Sequence, residues 1–247
     1  ALPQRLYLKQ AAQFVCCSAS VANRLIRDGI PAKKVVVAEN AIAFERLDES
    51  IPLAQAELGL PVDTTAALIF GFHSYRKGVD LAVEAVRQLR EEQGKNIALA
   101  VVLSSRREEA ERNILIQLGL ERLPDWIRLL PPRSDVGSYY RFADVFLSPS
   151  REEGFCYSLV EAVYCKVPVV ASAIDAQKDL RLPESAFCVP GDAKSLAEAI
   201  VCQLEQARSK DRSAALEEAK RRVVAAYSLS AWADAVALSY RNLLQRT

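Results

Sequence analysis

Residues 144–173, DVFLSPSREEGFCYSLVEAVYCKVPVVASA, constrain the fold of this chain more than any other stretch. Val145-Phe146-Leu147 is a short apolar run ending in Ser148-Pro149-Ser150, which reads as a buried strand and its exit. Arg151-Glu152-Glu153-Gly154 makes a charged turn. Residues 157–165 then place apolar side chains at helical spacing, with Leu159, Val160 and Val163 expected to face inward. Lys166-Val167-Pro168 closes that helix, and Val169-Val170-Ala171 opens a second apolar strand. Strand, turn, helix and strand in this order form the crossover unit of a parallel sheet.

The rest of the chain repeats the alternation. The continuous apolar run at 66–70 reads as a strand buried on both faces, and further strands are expected over 97–103, 127–130 and 186–189. Helical patterns at 79–92, 107–118, 135–142, 193–207, 212–226 and 230–244 separate or follow them. The expected class is therefore α/β, a doubly wound, Rossmann-like parallel sheet. Upstream, a helix is expected over 2–12, strands over 14–17 and 33–38, and between them a helix over 21–28. Ser18 or Ser20 would cap that helix and Gly29 would end it. Residues 43–62 read as a linker with a short helix around 53–58.

Composition narrows the function. With 247 residues the chain has room for one large domain or two small ones, and a net charge of +1 gives no reason to expect a nucleic-acid partner. No apolar run reaches the roughly 18 residues that a membrane span needs. No signal peptide is apparent, and the six cysteines (Cys16, Cys17, Cys156, Cys165, Cys188, Cys202) lack metal spacing and read as reduced thiols. A cytoplasmic location is the expectation. The single histidine, His73, argues against a histidine-based metal or triad site. With no methionine at all, the chain is expected to be processed or cut from a longer protein.

The organising unit also carries candidate chemistry. A helix starting near Cys156 leaves the backbone N–H groups of Cys156, Tyr157 and Ser158 without intrahelical partners, and the helix dipole adds positive potential there. Such a place accepts a phosphate. Glu153 and Glu161 are eight residues apart, about 12 Å if wholly helical. Hydrolytic carboxylate pairs stand roughly 5 to 9.5 Å apart, so a glycosidase is not implied. Two carboxylates gripping hydroxyls at opposite ends of a long diphosphate ligand would fit. A solvated turn glutamate and an ordinary helix glutamate are the plain alternative.

Ser148-Pro149-Ser150-x-x-Glu153-Gly154-Phe155, then Leu159-Val160-Glu161-Ala162, then Val167-Pro168-Val169-Val170-Ala171-Ser172, resembles the E-x7-E segment of retaining, nucleotide-sugar-dependent glycosyltransferases with the GT-B fold (group 1, family 4 type). The resemblance implies that Glu153 contacts the donor sugar and Glu161 the ribose. Lys77, six residues beyond a strand and just before a helix, stands in the place of the family's phosphate-binding lysine. Glu153 and Lys77 are thus the candidate catalytic residues. Glu161, Phe155, Cys156, Tyr157, Ser158, Arg76 and Gly71 are the candidate donor contacts. No metal and no cofactor are implied, the nucleoside diphosphate sugar being a substrate. Its partner would be a glycan or glycolipid acceptor.

The same resemblance divides the chain. Residues 1–45 look like the last strand–helix–strand unit of a GT-B N-terminal domain whose remainder has no counterpart in this sequence. Residues 46–228 look like the Rossmann-like donor domain, and 229–247 like the helix that crosses back to brace the missing part. Four departures from the family pattern stand at Ala41, Phe72, Cys156 and Ala176-Gln177. They support an alternative, a non-catalytic binding or partner subunit on the same fold. The retained pair Glu153 and Glu161 favours the enzyme. Cys156, where the family has glycine, is expected to bring a thiol against the donor phosphate. Asp175 is expected to cap the turn after 169–172, and Asp192 the helix from Ala193. Pro131-Pro132-Arg133 would lie at the sheet edge near the nucleotide base.

Overall fold

A computed structural model describes residues 11–245, apart from 62, 73, 104, 105, 181, 208, 210 and 211. Most of the helix expected over 2–12, and His73, therefore lie outside the described residues.

Two sheets form. In the smaller, β1 (Phe14–Cys16) pairs in parallel with β2 (Val35–Val37), and α1 (Ala19–Arg27) connects them. Ser18 caps α1 by accepting a hydrogen bond from the Val21 N–H at 3.3 Å. Short 3-10 turns, Phe44–Leu47 and Gln55–Leu58, occupy the stretch read as a linker. Phe44 and Leu47 are buried, and Phe44 stacks on Tyr164 with ring centroids 4.5 Å apart.

The larger sheet is six-stranded and wholly parallel: β3 (Thr65–Phe70), β4 (Ile97–Val102), β5 (Ile127–Leu130), β6 (Val145–Ser148), β7 (Val169–Ser172) and β8 (Phe187–Cys188). Its helices are α2 (Ser74–Lys77), α3 (Val79–Glu91), α4 (Arg107–Leu118), α5 (Gly137–Phe142), α6 (Tyr157–Tyr164), α7 (Asp175–Lys178), α8 (Ala193–Gln206), α9 (Arg212–Tyr227) and α10 (Leu229–Leu244).

Both faces of this sheet are covered, which explains the unbroken apolar runs. Along β3, Ala66, Leu68 and Phe70 enter one core with Phe146, Leu159 and Tyr140, while Ala67 and Ile69 enter the other with Val86, Leu99 and Ile200. The period of two along the strand sends alternate residues to opposite layers. Asp192 caps α8 by accepting from the N–H groups of Lys194 and Ser195, as expected. Asp175 does not act as a cap. Ile174 holds that position, and the Asp175 carboxylate lies 4.0 Å from Arg27.

The strands lie in the order β5-β4-β3-β6-β7-β8. The chain winds outward from β3 to one edge, returns to the middle at β6, and winds to the other edge. Loops leaving the carboxyl ends of β3 and β6 therefore diverge and leave a crevice, the place where open α/β sheets bind ligands. β5 is an edge strand, so Pro131-Pro132-Arg133 leaves the sheet at its edge as expected.

One sequence expectation is qualified here. Residues 213–244 together have the length and apolar composition of a membrane span. They run as two helices interrupted at Ser228, which caps α10 by accepting from the Ala231 N–H. Each helix has 16 residues, about 24 Å of rise, short of the ~30 Å hydrocarbon core.

Candidate nucleotide site at the β3–β6 crevice

The crevice is built from two loops locked to each other. From β3 the chain passes Gly71 and Phe72, makes the single turn α2, and enters α3 through Gly78. From β6 it passes Pro149 to Gly154 and enters α6. Arg151 fastens the two together. Its backbone N–H donates to the Arg76 carbonyl at 2.9 Å, and its guanidinium donates to both Asp80 carboxylate oxygens at 2.8 and 2.6 Å. That guanidinium also lies over the Tyr75 ring, 4.0 Å from the centroid.

Gly78 permits the approach. It sits at φ +72°, and a Cβ there would overlap the Pro149 carbonyl oxygen. Gly71 is buried for a related reason, since a Cβ would meet Val79 Cγ2 at 2.8 Å and Val101 Cγ1 at 3.0 Å. Gly71 thus brings helix and sheet into contact.

Lys77 and Glu153, 76 residues apart in sequence, meet at this seam. Lys77 Nζ donates to Glu153 Oε1 at 2.6 Å, and Ser150 Oγ donates to the same oxygen at 2.8 Å. Arg76 stands 4.0 Å from the other carboxylate oxygen. The Glu153 side chain is only 4% exposed and that of Lys77 16%. An ion pair this dry survives only with good geometry and further hydrogen bonds. Ser150 provides one of them.

Glu161 sits one turn into α6 and is buried. Tyr140 Oη donates to Glu161 Oε2 at 2.7 Å, and the Arg46 guanidinium pairs with Oε1. Burial pushes the Glu161 carboxyl above the usual carboxylate range, and the Tyr140 hydroxyl and Arg46 charge pull it part of the way back. Burial raises the Tyr140 phenol well above its ordinary value too, which keeps it a donor.

The sign of the Glu161 displacement matters. A carboxyl raised in the folded state favours the proton-bound form, so its ionisation costs stability above that folded value, and the cost disappears as pH falls below the unfolded one. A helix carboxylate retained at such a cost marks a functional-site candidate.

The remaining sequence candidates divide. Tyr157, 46% exposed, and Ser158 head α6, where the first N–H groups have no earlier turn to bond. Phe155 is buried, with its ring centroid 5.0 Å from Tyr157 and 5.3 Å from Tyr227.

Cys156 departs from expectation. Its thiol is 1% exposed and turned inward, 3.4 Å from Ser148 Oγ and 3.8 Å from Gln177 Nε2. Gln177, in α7, donates also to the Ser148 carbonyl at 3.1 Å. The thiol thus fills a polar pocket beneath the turn.

Sequence reading gave no site role to Arg46 or Tyr140, named Ser18 only as a helix cap and Ser150 only as part of the Ser148-Pro149-Ser150 motif. Ser18 Oγ donates to the Gly154 carbonyl at 2.7 Å, and Arg24 pairs with Glu152 at 3.0 Å, so α1 rests against the turn that carries Glu153. No local pattern announces the Arg46, Ser18 and Arg24 contacts, because they join residues 115, 136 and 128 apart in sequence. Among the described residues no cluster of three metal-ligating side chains occurs.

The chain is similar to known proteins. A D-inositol 3-phosphate glycosyltransferase of Kineococcus radiotolerans is 30% identical over 177 residues, 67% of this chain and 40% of that protein. The chain therefore spans less than half the length of that relative. A glycosyltransferase structure from Rickettsia africae superposes on all of the chain with a TM-score of 0.84 and 20% identity, covering 68% of that protein. An Anabaena HepE structure in complex with UDP superposes on 94% of the chain and 64% of its own, with a TM-score of 0.77 and 18% identity. The fold is thus that of the GT-B glycosyltransferases, and its sheet is Rossmann-like. Residues 65–206, more than half of the chain, match the profile of glycosyl transferases group 1 and enclose Lys77, Glu153 and Glu161. The chain belongs to that family.

Proposed function

We propose that this chain is the donor-binding part of a retaining glycosyltransferase, which transfers a hexose-type sugar from a nucleoside diphosphate sugar to a glycan or glycolipid acceptor. The observation that carries this reading is the Lys77–Glu153 pair at 2.6 Å, set where the sheet reverses its winding and beside the N-terminus of α6. The diphosphate would lie against the first N–H groups of α6, with Lys77 and Arg76 supplying fixed positive charge as negative charge develops on the leaving group. Glu153, freed from part of its bond to Lys77, would take a sugar hydroxyl. Glu161, one turn further along α6, would take the ribose. The exposed faces of Tyr157 and Phe72 would border the entrance.

The reading extends to the chain's organisation. Residues 1–45 would be the closing unit of an acceptor-side domain, 46–228 the donor domain and 229–247 a brace between them. The Ser18–Gly154 and Arg24–Glu152 contacts support a closed arrangement in which that first unit touches the donor turn.

A thermal-shift panel of UDP, GDP, ADP and their sugars tests donor binding. At a hundredfold excess over the dissociation constant a ligand adds about 2.7 kcal/mol. In a protein of this size that moves Tm by roughly 5 to 10 °C. One nucleotide series is expected to stand out. A flat panel at millimolar concentrations would sink the reading.

A further inference from the structure

Arg46 comes from the 3-10 turn Phe44–Leu47, far in sequence from the crevice, yet its guanidinium reaches the one buried glutamate of α6. The turn itself is pinned at several points. Phe44 stacks on Tyr164, the Tyr164 hydroxyl donates to Asp48 at 2.7 Å, and Arg141 donates to the Leu47 carbonyl at 2.9 Å. Leu47 is fully buried. A guanidinium on a segment held this firmly is a fixed charge, whereas one on a loose surface arm would be worth little. On the opposite side Tyr140, fully buried in α5, aims its hydroxyl at the other Glu161 oxygen.

We propose that Arg46 and Tyr140 are positioning residues of the nucleotide site: Tyr140 fixes the aim of the Glu161 carboxylate, Arg46 supplies its countercharge, and the turn at 44–47 thereby carries part of the site. The proposal rests on the reading of Glu161 as the ribose contact. A carboxylate offers about four lone-pair positions. With one taken on each oxygen, two remain for the vicinal hydroxyls of a ribose. An ionised Glu161 is a stronger acceptor for them than a neutral one. Burial opposes that charge, and the described groups that face it are Arg46 from the turn, Tyr140 from α5 and Cys165 from the end of its own helix. Of these only Arg46 is a cation. Without it the carboxyl would hold its proton to higher pH.

Two readouts test this on the 247-residue chain. The first is the titration of the Glu161 side-chain carboxyl followed by carbon NMR in wild type, Arg46→Ala and Arg46→Lys. Its midpoint is expected to move to higher pH in Arg46→Ala and back toward wild type in Arg46→Lys. The second is calorimetric titration with UDP, GDP and ADP at pH 6 and pH 8.5. Arg46→Ala is expected to lose more affinity at pH 6 than at pH 8.5, because its Glu161 carboxyl would hold the proton to higher pH. Little loss is expected at pH 8.5. In a Glu161→Gln background the Arg46 substitution should have no pH-dependent effect. Tyr140→Phe should weaken binding at both pH values.

An unmoved midpoint in Arg46→Ala, or an affinity loss equal at both pH values, would overturn the proposal. If wild type binds no nucleotide while the midpoint still moves, the failure lies with Glu161 as a ribose contact, and the proposed function falls with it.

Discussion

Lys77→Ala is expected to lose about 3 kcal/mol of folding stability, the low end of what removing one partner of a buried ion pair costs. The reason is the partner left behind. The Glu153 side chain is 4% exposed, and without Lys77 it keeps only the Ser150 hydroxyl at 2.8 Å and Arg76 at 4.0 Å. A carboxylate so enclosed cannot recover its hydration. Urea denaturation of Lys77→Ala, Glu153→Gln and the double variant separates the terms. The double variant should regain most of the loss, since both charges are then absent. The Lys77→Ala change should also weaken nucleotide binding about ten- to a hundredfold, the worth of one charge-assisted hydrogen bond to phosphate. Lys77→Ala within about 0.5 kcal/mol of wild type, the range of ordinary surface changes, would mean that the pair is solvated and that the seam is not closed as described.

Gly78→Ala is expected to cost about as much, by a different route. At φ +72° any side chain adds roughly 1 to 2 kcal/mol of backbone strain. The added methyl would also overlap the Pro149 carbonyl oxygen and force the two loops apart. Gly94 offers a matched control, with φ +61° and open space around its Cβ position. Gly94→Ala should show the strain alone. The expected excess for Gly78→Ala over Gly94→Ala is about 1 to 3 kcal/mol, typical of overpacking. It should be accompanied by weakened nucleotide binding, because spreading the loops separates Lys77 from Glu153. Equal losses for the two glycines would show that the approach of the loops is not tight.

Much of the fold was legible in the sequence because a parallel sheet covered on both faces leaves a plain signature. The run Ala66 to Phe70 is apolar at every residue, and β3 runs Thr65–Phe70. The 107–118 helix coincides with α4. Strand order was not legible, since apolar runs do not state their neighbours. The family resemblance named Lys77 and Glu153 separately, and their contact needed the β3–β6 adjacency.

Arg46 was invisible for a physical reason. Its segment is a single 3-10 turn with no periodicity, and its ion pair joins residues 115 apart in sequence. Cys156 shows the other limit. The helix start was placed correctly, but spacing along the chain does not set the direction of a side chain at the N-cap, where the backbone is not yet helical. At φ −96° and ψ 82° the Cys156 thiol points down toward Ser148 and Gln177.

The central claim is that the β3–β6 crevice binds a nucleoside diphosphate with Glu161 on its ribose. Calorimetric titration of wild type and Glu161→Ala with the nucleotide selected by the thermal-shift panel tests it most directly. Losing a charge-assisted hydrogen bond of about 1.5 to 3 kcal/mol predicts a dissociation constant about ten- to a hundredfold weaker for the variant, with the fold intact. Equal affinities in a folded Glu161→Ala protein would contradict the account and remove Glu161 from the site.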